Sequence, residues 1–189
     1  MIFQSSATDA IKQRMRPLTK IHGVPDFMSL TQMRKEVRAN VSAIHSSIGG
    51  GANGHLWLVE TPAAFARISA TPAVIPVHPG NLPVVPPGTT SHLAANIRDT
   101  HAFRLQQFNV ADTVSKVTGA QIINALDEEF IAAEINQYSG QLQNDIPTTF
   151  ANLFAEYGHV TPTFLDEKIT ELKNKAYDPA IPLANTYKA

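Results

Sequence analysis

The sequence predicts an all-α, mainly helical fold, broken by one short extended or hairpin segment and one long proline-rich loop. Three observations carry this. Apolar residues recur every three or four positions in five stretches, the spacing that places them on one helix face. Helix-start and helix-stop residues bracket most of those stretches. Residues 71–90 hold six of the 13 prolines and no charged residue, so they cannot continue a helix. The chain has 189 residues, 43% of them apolar, enough for a packed core and incompatible with wholesale disorder.

Residues 10–22 are polar and basic with sparse apolar side chains, and read as an arm or a short weak helix. A helix then starts near Ser29, because Ser29 and Gln32 have capping-box spacing. Leu30, Met33, Val37, Val41, Ile44 and Ile48 form its apolar stripe. The run Gly49-Gly50-Gly51 is expected to stop it, since glycine accepts left-handed geometry. The apolar run at 55–60, containing Trp57, fits a strand or an extended packing segment, with Trp57 as a core anchor. Thr61-Pro62 signals a short helix over 62–69. The proline-rich loop is too apolar for a flexible linker and is expected to pack on the body as a braced hairpin or extended loop.

From residue 91 the chain reads as helical almost to its end. Leu93, Ile97, His101, Leu105 and Phe108 form one stripe, and Val110, Val114 and Val117 continue into another, followed by Ile122, Ile123 and Leu126. Asp127 caps a short helix with Phe130, Ile131 and Ile135, and the polar stretch 137–145 is a loop. Asp145 and Pro147 open a helix carrying Phe150, Leu153, Phe154 and Tyr157, which Gly158 ends. Thr161-Pro162 opens a last helix with Leu165, Ile169, Leu172 and Ala176 on one face; Asp178, Pro179 and Pro182 end it and leave a tail. Asp166, Glu167 and Glu171 lie early in that helix and Lys173 and Lys175 late, as the helix dipole prefers.

The net charge is −1, so no global field attracts nucleic acid or anionic lipid. The charge is uneven: residues 1–38 hold seven basic and three acidic residues, a balance of +4 that leaves −5 for the rest. Lys12, Arg14, Arg16, Lys20, Arg34, Lys35 and Arg38 are the candidate phosphate contacts; a solvated helix face with an arm is the plainer reading. The absence of cysteine excludes disulfides, zinc knuckles, iron–sulfur sites and thiol nucleophiles. No signal-peptide pattern opens the chain and no run approaches 18 apolar residues, so no membrane partner is expected.

No catalytic or metal-ligating constellation stands out, and no cofactor or small-molecule substrate is expected. His22, His45, His55, His78, His92, His101 and His159 are scattered, without H-E-x-x-H spacing. The Gly49–Gly54 segment follows an expected helix and has no adjacent lysine, unlike a phosphate loop. Asp127-Glu128-Glu129 is better explained by helix capping and the dipole than by acid–base chemistry. No nucleophile elbow occurs. Elimination therefore points to interaction or assembly.

Four blocks occur in order: Lys35-Glu36-Val37-Arg38-Ala39-Asn40-Val41-Ser42-Ala43-Ile44-His45, the run GGGANGHLWLV at 49–59, Pro76-Val77-His78-Pro79-Gly80, and Tyr157-Gly158-His159-Val160-Thr161-Pro162. Together, over residues 20–180, they resemble the Gag-like polyprotein of copia-type LTR retrotransposons. The resemblance implies a retrotransposon capsid-like helical fold that oligomerises into shells around element RNA. Without cysteine, RNA binding through the family's zinc knuckle does not carry over, which leaves the seven basic residues as the phosphate-contacting candidates. Relatives run on into a second helical domain, so the chain is expected to be a shortened Gag or a capsid N-terminal portion.

The resulting organisation is a basic N-terminal arm at 1–28, a helical capsid N-terminal-type domain at 29–158 with the proline-rich loop at 71–90, and a C-terminal helix and tail at 159–189. The expected partner is the chain itself, in rings or shells, with RNA as a second partner. Virus-like particles in the cytoplasm are the expected location, with the nucleus as the alternative. Candidate inter-subunit surfaces are the first helix over 34–45, the loop (Val77, His78, Leu82, Val85), and the last helix with its tail (Phe164, Leu165, Ile169, Leu172, Tyr177). Three rivals remain: a domesticated, non-assembling Gag-like adaptor binding a host protein, a coat protein of a small virus, and an enzyme with a histidine–carboxylate site.

Overall fold

A computed structural model of the chain describes residues 2–160 and 162–176. Among the described residues seven α-helices follow one another: α1 Ile2–Arg14, α2 Phe27–Ser42, α3 Pro62–Phe65, α4 Ser91–Ala125, α5 Glu128–Ile131, α6 Ile146–Tyr157 and α7 Pro162–Ala176. Short 3₁₀ turns lie at Gly51–Asn53, Leu56–Leu58 and Ala132–Glu134. The molecule is mostly helical, and among the described residues no strand forms. An isolated antiparallel β-bridge joins Ile135 and Leu142.

The core gathers around α2. Its stripe Leu30, Met33, Val37 and Val41 is almost wholly buried against Val114, Val117 and Ile122 of α4 and Phe150 and Leu153 of α6. Phe65 of α3 and the Leu56–Leu58 turn close one side, and α1 lies along α4.

The ends of α2 differ from the sequence expectation. The N-cap is Asp26, three residues before the expected start. Its Oδ1 accepts the Ser29 N–H at 2.7 Å, while Ser29 Oγ accepts the Asp26 N–H at 2.9 Å. Ser29 is thus the third residue of a reciprocal capping box, not its cap. The helix stops at Ser42, well before the glycines. The chain bends there and returns, with the His55 N–H donating to the Val41 carbonyl at 3.0 Å. The glycines serve that return. A Cβ on Gly54 (φ +57°) would lie 2.4 Å from the Ser42 carbonyl oxygen, and one on Gly50 (φ +74°) 2.5 Å from the Phe65 ring.

The run at 55–60 is a tight turn rather than a strand. Winding lets Leu56, Trp57 and Val59 all bury; an alternating strand would turn every second one outward. No hairpin forms over 71–90: the segment is neither helix nor strand apart from turns.

The N-terminal segment also departs from expectation. Helix α1 begins at Ile2, ahead of the weak helix expected at 10–22, and Ile11, Met15 and Ile21 join the core. Residues 16–23 form a strap rather than a free arm. Arg16 is held by Asn40, the Thr19 N–H and hydroxyl donate to Glu36 at 2.8 Å each, the Ile21 N–H donates to the Ala125 carbonyl at 2.8 Å, and the Gly23 N–H donates to Asp127 Oδ2 at 3.0 Å.

The two stripes expected after residue 91 merge into one helix of 35 residues, about 50 Å long. Its buried residues begin at Ala111; the first half projects, with Leu93 and Phe103 half exposed. Helix α6 opens and closes as expected, with Asp145 accepting the Thr148 N–H at 2.9 Å and Gly158 at its end.

Candidate functional site

The proline-rich segment lies beside the projecting half of α4. His101 Nε2–H donates to the Gly80 carbonyl at 3.1 Å, and the His78 ring meets Phe108 edge-on at 5.0 Å. His78 Nδ1 accepts the Gly80 N–H at 3.0 Å, closing a small turn. These contacts hold the backbone and leave the apolar side chains outside. Val77 is 79% and Val84 90% exposed, with Ile75 and Leu82 at least half exposed. Of the expected assembly residues here, Val77, His78 and Leu82 are exposed and Val85 is half-buried. An uncharged apolar surface of this kind, next to Leu93 and Phe103, is the sort that marks an interaction site.

Helix α7 presents a second apolar surface. Leu165, Ile169 and Leu172 are 50, 46 and 64% exposed, and the polar residues between them are exposed or half-buried too. Lys168 pairs with Glu171 along the helix at 2.5 Å. Tyr177 lies outside the described residues, as does the side chain of Phe164.

The seven basic candidates do not form one patch. Arg34 and Arg38, one turn apart on α2, both pair with Glu60, whose side chain is wholly buried; the Arg34 distance is 3.3 Å. Lys35 points outward from α2 and is exposed. The opposite flank of α2, bearing Glu36 and Asn40, receives the strap with Arg16 and Lys20. Lys12 and Arg14 are exposed at the end of α1. Glu60 thus neutralises part of the charge on one flank, and α2 separates it from the other.

Several polar groups have environments that shift their ionisation. The Ser29 main-chain and side-chain donors hold Asp26 below the ordinary carboxylate range. Burial pushes Glu36 upward, but the donors of Thr19 and Gln32 outweigh it and hold the group low. His55 is buried, and desolvation pushes its imidazole below the ordinary value against the pull of the Ile44 carbonyl, 2.9 Å from Nδ1.

Reactive geometry is sparse. A groove of about 710 Å³ between α1 and α4 is lined by Ile11, Leu105, Val110 and Val117; its charged lining residues, Asp112 and Lys116, pair with each other at 2.6 Å. A smaller hollow brings His45 and His55 together without a carboxylate. Among the described residues no three histidines or carboxylates gather as metal ligands. No described helix is long and apolar enough to cross a membrane.

Sequence reasoning missed Asn40, Glu60 and His55 as organising residues. Glu60 had one legible signal, a lone acid closing an apolar run after two arginines at i, i+4 spacing. Compared with family models, curated proteins and solved structures, the chain gives no match.

Proposed function

We propose that this chain is a structural, capsid-type protein that self-associates into shells, with RNA as the packaged partner. The observation that carries the reading is the pair of uncovered apolar surfaces, Val77–Val84 beside the projecting half of α4 and Leu165–Leu172 on α7. Shells are built from repeated contacts between different patches of identical subunits, and a chain of net charge −1 meets little self-repulsion. The ordered blocks resembling the copia-type Gag add the retrotransposon setting and the location in cytoplasmic particles, with no enzyme activity required.

The uncharged proline-rich segment also favours a second reading, a non-assembling adaptor that docks a protein there. Light scattering with negative-stain imaging, on nuclease-treated protein across salt and concentration, separates the two. Particles or a ladder of large oligomers support the shell. A species no larger than a dimer under every condition overturns autonomous assembly and leaves the adaptor.

A further inference from the structure

We propose that α7 is a self-pairing helix that packs antiparallel against α7 of a second copy. The proposal rests on the self-association reading and names one of its contacts. Leu165, Ile169 and Leu172 follow the alternating four- and three-residue spacing of a coiled-coil seam, and Ala176 continues it in sequence. Each described member of the seam is at least 46% exposed. A 15-residue helix with an uncovered apolar stripe is marginal alone in water, so the stripe calls for a partner.

Charge chooses the partner and its direction. Asp166 and Lys173 flank the seam on the same side, near opposite ends. Antiparallel pairing centred between Ile169 and Leu172 layers Ile169 against Leu172 of the other copy. It sets Asp166 of each copy beside Lys173 of the other, giving two opposite-charge pairs, and it opposes the helix dipoles. On the other side the register brings Lys168 to the sequence position of Lys175 twice, so two like-charge positions accompany the two attractive pairs. Parallel pairing sets Lys168 beside Lys173 twice and forms no attractive pair. The contact is isologous, so it closes at two copies and leaves the proline-rich surface free for further growth.

The test is sedimentation of the full chain. Asp166→Lys and Lys173→Asp, each alone, turn two attractive pairs into two repulsive ones and should weaken dimerisation about tenfold at low salt. The double exchange should return it to within about twofold. The chain has no cysteine, so Ile169→Cys and Leu172→Cys each carry a single thiol. Mixed and oxidised, they should form the mixed disulfide in preference to either homodimer. Preferential homodimers would overturn the antiparallel arrangement; single reversals without effect, or a double exchange that fails to restore pairing, would overturn the charge assignment. Failure here with particles still present leaves the shell reading standing, whereas a restored dimer without particles supports α7 pairing and overturns the shell.

Discussion

Asn40 grips the main chain of Arg16 on both sides. Its Oδ1 accepts the Arg16 N–H at 3.0 Å and its Nδ2 donates to the Arg16 carbonyl at 2.7 Å. Gln121 joins from α4, accepting from Asn40 at 3.1 Å and donating to the same Arg16 carbonyl at 3.1 Å. One buried amide thereby fastens the strap to α2 and α4 at once. Asn40→Ala leaves the Arg16 N–H without its partner, and should cost about 2–3 kcal/mol and lower Tm by about 4–12 °C. Asn40→Asp should not rescue it, because the second oxygen would face the Arg16 carbonyl where a donor is needed. Thermal unfolding of the two variants checks this; an aspartate variant as stable as the natural chain would exclude the clamp.

What was legible in the sequence was local. Helix α6 is the clearest case: its cap, its proline, its apolar face and its terminal glycine lie within 14 consecutive residues, Asp145 to Gly158. For α2 the stripe was legible as far as Val41, whereas Ile44 and Ile48 lie beyond the helix; its ends were not, because Asp26 and Ser29 are both good capping residues and the glycines answer to groups across a turn. Asn40 is a polar residue in a helix until the strap, 24 residues away, lies on it. Helices α6 and α7 show the deeper limit. Both carry apolar residues at helical spacing, yet Phe150 and Leu153 are buried while Leu165 and Leu172 are exposed. Periodicity identifies a face that wants covering, but not what covers it.

The glycines after α2 should respond unequally to alanine. Gly54→Ala and Gly50→Ala combine left-handed backbone with overlap, against the Ser42 and Ile44 carbonyl oxygens in one case and the Phe65 ring in the other. Each should cost about 2–4 kcal/mol. Gly119 lies within α4 and meets only the flexible end of Leu142, at 3.3 Å. Gly119→Ala should therefore stay within about 1 kcal/mol of the natural chain, helix propensity offsetting the tight contact. Denaturant unfolding of the three variants measures the contrast, and equal losses at all three positions would exclude it.

The arginines on α2 should separate from the other basic candidates. Removing both Arg34 and Arg38 leaves the buried Glu60 carboxylate without a cation, so the double alanine variant should lose about 3–5 kcal/mol of stability. Lys12, Arg14, Lys20 and Lys35 are exposed and take part in none of these pairings. Replacing these four with alanine should leave Tm within about 2 °C. If RNA is held by the basic residues, the same variant should lower the slope of log affinity against log salt by about 0.7 per lost phosphate contact. Fluorescence titration of single-stranded RNA at several salt concentrations reads that slope. An unchanged slope would remove these four residues from the interface.

His55 should make stability depend on pH just below neutrality. It is buried at 2% exposure, and Nδ1 lies 2.9 Å from the Ile44 carbonyl, which fixes the proton there in the neutral ring. Desolvation disfavours the imidazolium, the Ile44 carbonyl opposes this in part, and nearby His45 adds to the depression below the ordinary 6.5. The unfolded chain therefore binds the proton first as pH falls. Stability is full above 6.5, declines as pH falls through that value, and levels off once the folded His55 is protonated as well. Asp26 and Glu36, both held below their ordinary 3.8 and 4.5, lose their contributions only in a lower window, as pH falls below those values. Urea midpoints between about pH 7.5 and 5 should then drop for the natural chain. His55→Asn can keep a donor to Ile44 without a titrating ring, and should show a flatter profile over the same range. A natural chain whose midpoint does not move between those limits, or an asparagine variant that retains the full slope, would place the pH response elsewhere.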